Sequence, residues 1–209
     1  LIFLYNPCYK IIKELMFNDP IVDIEMNWNK FGSFTEDIFL NIASQELSIV
    51  YGLLQKSPVD VKLLKDEGVV SSCDIASIDL TYDNGETCKI NINRASPQKR
   101  KEVRITTRSG NVFYWIDNKV MKLNKETKSL DLIYESVEEP LKTEVKDFIN
   151  HIEHNQEPLL NKNIAIHNMQ TLERIMDLRK EDTATDSMKS VEQQTSFFNT
   201  QQTQREAPY

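Results

Sequence analysis

The sequence predicts an α+β fold in which a strand-rich middle is bracketed by helices. Three observations carry this. Residues 21–28 and much of 59–134 alternate with period two, whereas 35–54, 140–152 and 163–180 repeat their apolar residues every three or four positions. Clusters of Pro, Gly, Asn and Asp punctuate the two kinds of segment. At 209 residues, 40% hydrophobic and 27% charged, the composition is that of a soluble globular chain with one buried core and a short appendage.

Residues 1–5 (LIFLY) read as a buried strand, with neither the basic leader nor the cleavage site of a signal peptide. The chain opens on Leu1 rather than Met, which suggests an incomplete polypeptide. Asn6-Pro7 then predicts a helix start, with Asn as cap and Pro in the first turn, followed by the stripe Ile11, Ile12, Leu15, Met16. From Ile21 to Trp28 a strand places Val22, Ile24, Met26 and Trp28 on one face and Asp23, Glu25 and Asn27 on the other. Thr35, followed by Glu36 and Asp37, predicts a capped helix to about Leu54. Its apolar face is Phe39, Ile42, Ala43, Leu47, Val50 and Leu54, and a polar line of Asn41, Gln45 and Ser48 crosses it.

Asp83-Asn84-Gly85 marks a hairpin. A two-residue loop would mix polar and apolar residues on each face. A three-residue loop with Gly85 as a left-handed bulge pairs Leu80 with Cys88, Ile78 with Ile90 and Ala76 with Ile92, so the latter register is expected. Ser109-Gly110 predicts a second hairpin with a two-residue loop, pairing Ile105 with Tyr114, Thr107 with Val112 and Val103 with Ile116. That register puts Phe113 and Trp115 beside Arg104 and Thr106 and leaves both faces partly apolar, as if a second layer such as another subunit covers one of them. Asp117-Asn118-Lys119 is a further turn, and 130–134 a last strand. A helix beginning at Ser136–Pro140 should bury Leu141, Val145, Phe148, Ile149 and Ile152. A final helix over 163–180 should pack through Ile166, Met169, Leu172, Ile175 and Met176. Residues 181–209, rich in Gln, Ser and Thr with few apolar anchors, read as a disordered tail.

Several function classes are disfavoured. The net charge of −7 argues against a nucleic-acid or anionic-membrane partner. Arg94, Lys99, Arg100, Lys101 and Arg104, with Phe113 and Trp115 nearby, have the composition of a single-strand groove, but solvated loop charges explain them as well. His151 and His154 lack a third ligand for a metal, and His167 has no evident partner. Cys8, Cys73 and Cys88 form no paired spacing and read as buried free thiols of a cytoplasmic protein.

Taken in order, these segments resemble a known family. Glu36–Leu54 is similar to a helix of the glucose–fructose oxidoreductase / inositol dehydrogenase (Gfo/Idh/MocA) family. Asp83-Asn84-Gly85 resembles its hairpin, Arg104–Gly110 its strand pair, and Glu139-Pro140-Leu141 with Phe148-Ile149 and Glu157-Pro158 its late helix. The succession spans about residues 5–178. The resemblance implies an open, mostly antiparallel sheet with helices packed on one face, in an NAD(P)-dependent oxidoreductase acting on a sugar, polyol or nucleotide-sugar. It implies that residues 1–17 are a remnant strand and helix of a Rossmann domain, that 18–180 form the substrate and oligomerisation domain, and that the exposed sheet face builds a homodimer or homotetramer. No GxGxxG and no Glu-Lys-Pro occurs, so NAD or NADP would bind only the full-length protein.

On the matching helix, Asn41 stands where many members have Asp, and Gln45 where many have the catalytic His. An amide donates and accepts hydrogen bonds but does not titrate. Either Asn41 and Gln45, with Lys30 approaching the same cleft, orient a substrate hydroxyl while a residue elsewhere moves the proton, or the chemistry is lost. The third alternative is a polar edge on a packed helix.

Overall fold

The computed structural model describes residues 2–32, 34–156 and 162–180. Leu1, the Glu157-Pro158 connection and the expected tail lie outside the described residues. Eight strands form one open sheet: β1 (Ile21–Asn29), β2 (Asp60–Glu67), β3 (Ile75–Thr81), β4 (Thr87–Asn93), β5 (Arg100–Thr107), β6 (Val112–Ile116), β7 (Lys119–Leu123) and β8 (Leu130–Glu135). Their order is β2-β3-β4-β1-β5-β6-β7-β8, and β1–β4 is the parallel pair in an otherwise antiparallel sheet. Helices α1 (Pro7–Leu15), α2 (Ser44–Leu54), α3 (Pro140–Glu153) and α4 (162–180) are the α-helices among the described residues. The core lies between one sheet face, where Ile24, Met26, Ile78, Ile90 and Ile105 are buried, and the helical layer, which contributes Ile12, Phe39, Leu47 and Ile175.

Ile2–Tyr5 is a 3-10 turn, not the expected strand. None of the eight strands pairs with it, so the backbone closes locally, Asn6 N–H donating to the Phe3 carbonyl at 3.1 Å, while Phe3 and Leu4 pack on the core. The Asn6 cap forms as expected, its Oδ1 accepting from Cys8 N–H at 2.8 Å.

The first hairpin has the predicted register, with Gly85 at φ +83° in a three-residue loop. The second does not. Val103 faces Trp115 and Ile105 faces Phe113, one residue from the expected pairing. Its loop also holds three residues, with Gly110 at φ +77° and Thr107 N–H donating to the Asn111 carbonyl. Asp19 holds this loop, accepting from Ser109 N–H, the Thr107 and Ser109 hydroxyls and the Asn111 amide. Those hydroxyls and the amide keep its carboxyl well below the usual carboxylate range. The corrected register buries Phe113 and Trp115 against the core and sends Val112, Tyr114 and Ile116 to the open face.

The open face is thus divided. Its centre carries a polar ladder in which Ser77 donates to Asn91, Asn91 to Asn27, and Arg104 pairs with Asp23 and Glu25. Towards β8 it turns apolar through Tyr114, Ile116, Met121 and Leu132. Helix α4 is also rotated from the expected phase. Ile164, Leu172 and Ile175 are buried with Asn168 and Thr171, while Ile166 and Met169 are exposed, because Asn168 donates to the Ser44 carbonyl at 2.9 Å and faces α2. The stripe of α3 is exposed among the described residues, contrary to expectation; the helix packs beside the 3-10 turn.

All three cysteines are free and buried, as expected. Burial pushes the Cys8 thiol up to about 11 and Cys73 to about 12, and drives Cys88 up as well. A thiol reagent at about pH 8 should therefore label none of them in the native chain and all three on unfolding. Labelling of the folded protein at a free-thiol rate would contradict this packing.

Candidate functional site

The site begins at the approach to α2. Asp37, rather than Thr35, caps the helix: its Oδ1 accepts from Phe39 N–H at 2.8 Å and Leu40 N–H at 3.1 Å. Residues Phe39–Ala43 then make a π-helical turn before regular α-helix starts at Ser44. Such one-turn insertions recur at functional sites because they shift the phase of the side chains that follow. Here the shift turns Glu46 and Ser48 inward along with Leu47 and Val50.

Asn41 and Gln45 are brought together. Gln45 Nε2 donates to Asn41 Oδ1 at 3.4 Å, and the Asn41 amide donates in turn to the Glu36 carboxylate. Both amides are half-buried, so each keeps an edge for an incoming group. Ser48 is fully buried and donates to the Gln45 carbonyl at 2.6 Å, so it braces the helix rather than extending the polar line. Lys30 is not gathered in. It lies exposed after β1, its backbone N–H donating to the Asn93 carbonyl, and no polar contact among the described residues ties its ammonium to either amide.

The sequence reading missed Glu36, the carboxylate in contact with the amide pair. Glu36 precedes the cap, where helical spacing carries no information. It also missed two buried ion pairs under the site. Arg94 Nε meets Asp74 Oδ1 at 2.8 Å, with both side chains almost wholly buried, and Arg94 also donates to the carbonyls of Cys73 and Glu36 and to Ser71. Asp74 further accepts from the backbone N–H groups of Val69, Val70 and Ser71. The second pair joins Lys101 on β5 to Glu46 at 3.0 Å, with the ammonium over the Phe3 ring. The basic cluster noted in the sequence is thus taken apart: Arg94, Lys101 and Arg104 serve separate carboxylates, Arg100 pairs with Glu102, and Phe113 and Trp115 lie in the core.

The histidines are likewise accounted for. His151 and His154 each turn Nδ1 to the carbonyl four residues back, and among the described residues no group of three His, Cys, Asp or Glu gathers as a metal site. His167 contacts the Ser57 hydroxyl at 2.7 Å and stacks on Tyr51, joining α4 to α2. No helix among the described residues is long and apolar enough to cross a membrane.

No family-level sequence profile matches the chain, and no curated protein matches it in sequence. Solved structures do match. UDP-N-acetylglucosamine 3-dehydrogenase from Acidithiobacillus ferrooxidans superposes with a TM-score of 0.74 at 15% identity, over 85% of this chain and 59% of that one. The fold is that of the carboxy-terminal portion of Gfo/Idh/MocA-type dehydrogenases. A dehydrogenase from Chromobacterium violaceum gives 0.70 at 9% identity, over 92% of this chain and 63% of that one. Biliverdin reductase from Synechocystis, solved with biliverdin and NADP+, gives 0.67 at 9%, over 85% and 61%. The chain therefore spans about 60% of the length of each of these structures.

Gly32 does not offer the close backbone approach that a dinucleotide loop needs. Of the five glycines, Gly32 lies between a strand and a helix, yet a Cβ there would meet nothing, so no backbone cradle closes on that position. What the site does offer is an amide pair backed by a carboxylate, with donors and acceptors suited to a hydroxyl or carbonyl.

Proposed function

We propose that this chain is the carboxy-terminal part of an NAD- or NADP-dependent oxidoreductase that acts on a hydroxyl or ketone of a sugar, polyol or nucleotide-sugar in the cytoplasm. The observation that carries the reading is the Asn41–Gln45 pair, backed by Glu36, at the start of α2 in a fold shared with dehydrogenases. Asn41 and Gln45 bind and orient the reacting hydroxyl. Neither exchanges a proton at neutral pH, so the acid/base group and the cofactor belong to a dinucleotide-binding domain of which residues 1–17 are the end. The cofactor supplies hydride transfer, and this chain supplies a substrate wall. The apolar half of the open face, around Tyr114 and Met121, supports assembly into a homodimer or homotetramer. A second reading, a non-catalytic member kept for its assembly sheet, draws on the same amides, because Gln45 cannot replace an acid/base residue.

A longer chain encoded with upstream sequence decides between them. It should bind NADH saturably and turn over at least one compound from a panel of sugars, polyols and nucleotide-sugars, UDP-N-acetylglucosamine included. Gln45→Ala should raise KM for that compound by about 3- to 10-fold, the loss of one neutral hydrogen bond, with NADH affinity unchanged. The 209-residue chain alone should show no saturable NADH signal. Tight binding by that chain would sink the oxidoreductase reading as stated, and NADH binding without turnover of any compound would favour the non-catalytic one.

A further inference from the structure

The hydrogen bonds of the site run in one direction, and Glu36 sets it. A carboxylate only accepts, so Asn41 must present Nδ2 to Glu36 and Oδ1 to Gln45, which answers with Nε2. That order leaves Gln45 Oε1 and one Glu36 oxygen without a donor among the described residues. Glu36 is exposed and Gln45 half-buried, so both acceptors are open to a ligand.

The carboxylate is also held in place. Arg94 donates to the Glu36 backbone carbonyl, and the next residue, Asp37, caps the helix with its own side chain. Glu36 therefore projects from backbone fixed on both sides. Its charge is left uncompensated. Asp37 and Asp66 face Arg179, and Asp74 faces Arg94, whereas no cation among the described residues pairs with Glu36.

Two acceptors flanking one amide, one of them charged, suit a ligand that brings two donors. On the oxidoreductase reading, we infer that Glu36 is the specificity-determining residue of this site. Gln45 Oε1 accepts from one substrate hydroxyl, Glu36 accepts from the hydroxyl on the neighbouring carbon, and the same charge repels a substrate that carries a carboxylate. The substrate class narrows to compounds with a neutral pair of adjacent hydroxyls at the reacting end. A hydrogen bond to a carboxylate is about twice as strong as one to a neutral acceptor, so the second hydroxyl contributes more to binding than the first.

The side-chain amide NMR signals of Asn41 and Gln45 test this on the 209-residue chain at about pH 7, where uronates are ionised. The probes are D-glucose and D-galactose, each paired with its uronate at constant ionic strength. Both signals should move with at least one neutral sugar, and its uronate should bind at least ~10-fold more weakly. Glu36→Gln keeps an acceptor for Asn41 and an unchanged melting midpoint. It should weaken the sugar by about 3- to 10-fold and bring the uronate to within ~3-fold of it. Uronates bound as tightly as their sugars, sugar affinity unmoved by Glu36→Gln, or amide signals that neither sugar moves each overturn the inference. NADH binding and turnover by the longer chain are scored separately. The expected sugar pattern with no NADH binding upholds the role of Glu36 and sinks the oxidoreductase reading. Turnover of a sugar and its uronate with equal kcat/KM sinks only the role of Glu36.

Discussion

Asp74→Ala should destabilise the chain by about 3–5 kcal/mol, because it strands the Arg94 guanidinium in the interior. Arg94 is 3% exposed at its side chain and Asp74 is fully buried, so water cannot replace the lost partner. The effect also spreads. Asp74 gathers the N–H groups of Val69, Val70 and Ser71, and Arg94 holds the Cys73 carbonyl on that same connection and the Glu36 carbonyl before α2. Losing the carboxylate therefore frees the β2–β3 connection and the approach to the site helix together. Urea unfolding measures the loss, and a drop in melting midpoint of roughly 10 °C or more should accompany it. Arg94→Lys should fail to rescue, since a point charge cannot span carboxylate and carbonyls as the guanidinium fork does. A change under ~1 kcal/mol would show that the pair contributes little.

The same pair sets a pH limb. Burial alone would raise the Asp74 carboxyl, but the Ser71 hydroxyl and the N–H groups of Ser71, Val70 and Val69 outweigh it and hold the group below the usual carboxylate range. A carboxyl lowered on folding contributes stability that is present above its unfolded value of about 3.9 and lost as pH falls through the folded one. The clamp thus stays intact through the mildly acidic range and weakens only in strong acid.

How far these features can be read from the sequence depends on whether their cause is local. The β3–β4 register follows from alternation within the two strands, since the alternative loop mixes polar and apolar side chains on one face. The β5–β6 register does not. Both of its faces carry apolar residues, and its loop is held by Asp19, some ninety residues away in sequence. Periodicity identified the α2 stripe but not the π-helical turn, which depends on tertiary packing at Phe39–Ala43. It likewise found the α3 stripe without showing what covers it. Asn41 and Gln45 were legible because i, i+4 spacing makes them neighbours. Glu36, Asp74 and Lys101 were not, because their partners are reached only through a cap, a loop or the sheet.

Glu46→Ala should be nearly as damaging as Asp74→Ala, for a related reason and with a sharper control. Glu46 and Lys101 meet at 3.0 Å, yet neither Oε1 nor Nζ makes a well-aligned hydrogen bond, so their attraction is chiefly coulombic. The ammonium also lies over the Phe3 ring, 3.0 Å from Nζ to centroid. Removing the carboxylate leaves a buried cation without its counter-charge, at a cost of about 3–5 kcal/mol. The double variant Glu46→Leu with Lys101→Met removes both charges and keeps the volume, so it should fall within ~1 kcal/mol of the parent or exceed it in stability. The pH dependence is distinctive as well. Burial lowers the Lys101 pKa, and Glu46 only partly restores it. Between the lowered folded value and the unfolded value of about 10.4 the unfolded chain binds more protons, so stability rises with pH across that window. Lys101→Met should abolish the rise. If instead the parent loses stability steadily from neutral pH towards ten and the double variant behaves identically, the ammonium is not desolvated as described, and the phase of α2 that presents Asn41 and Gln45 must be fixed by apolar packing alone.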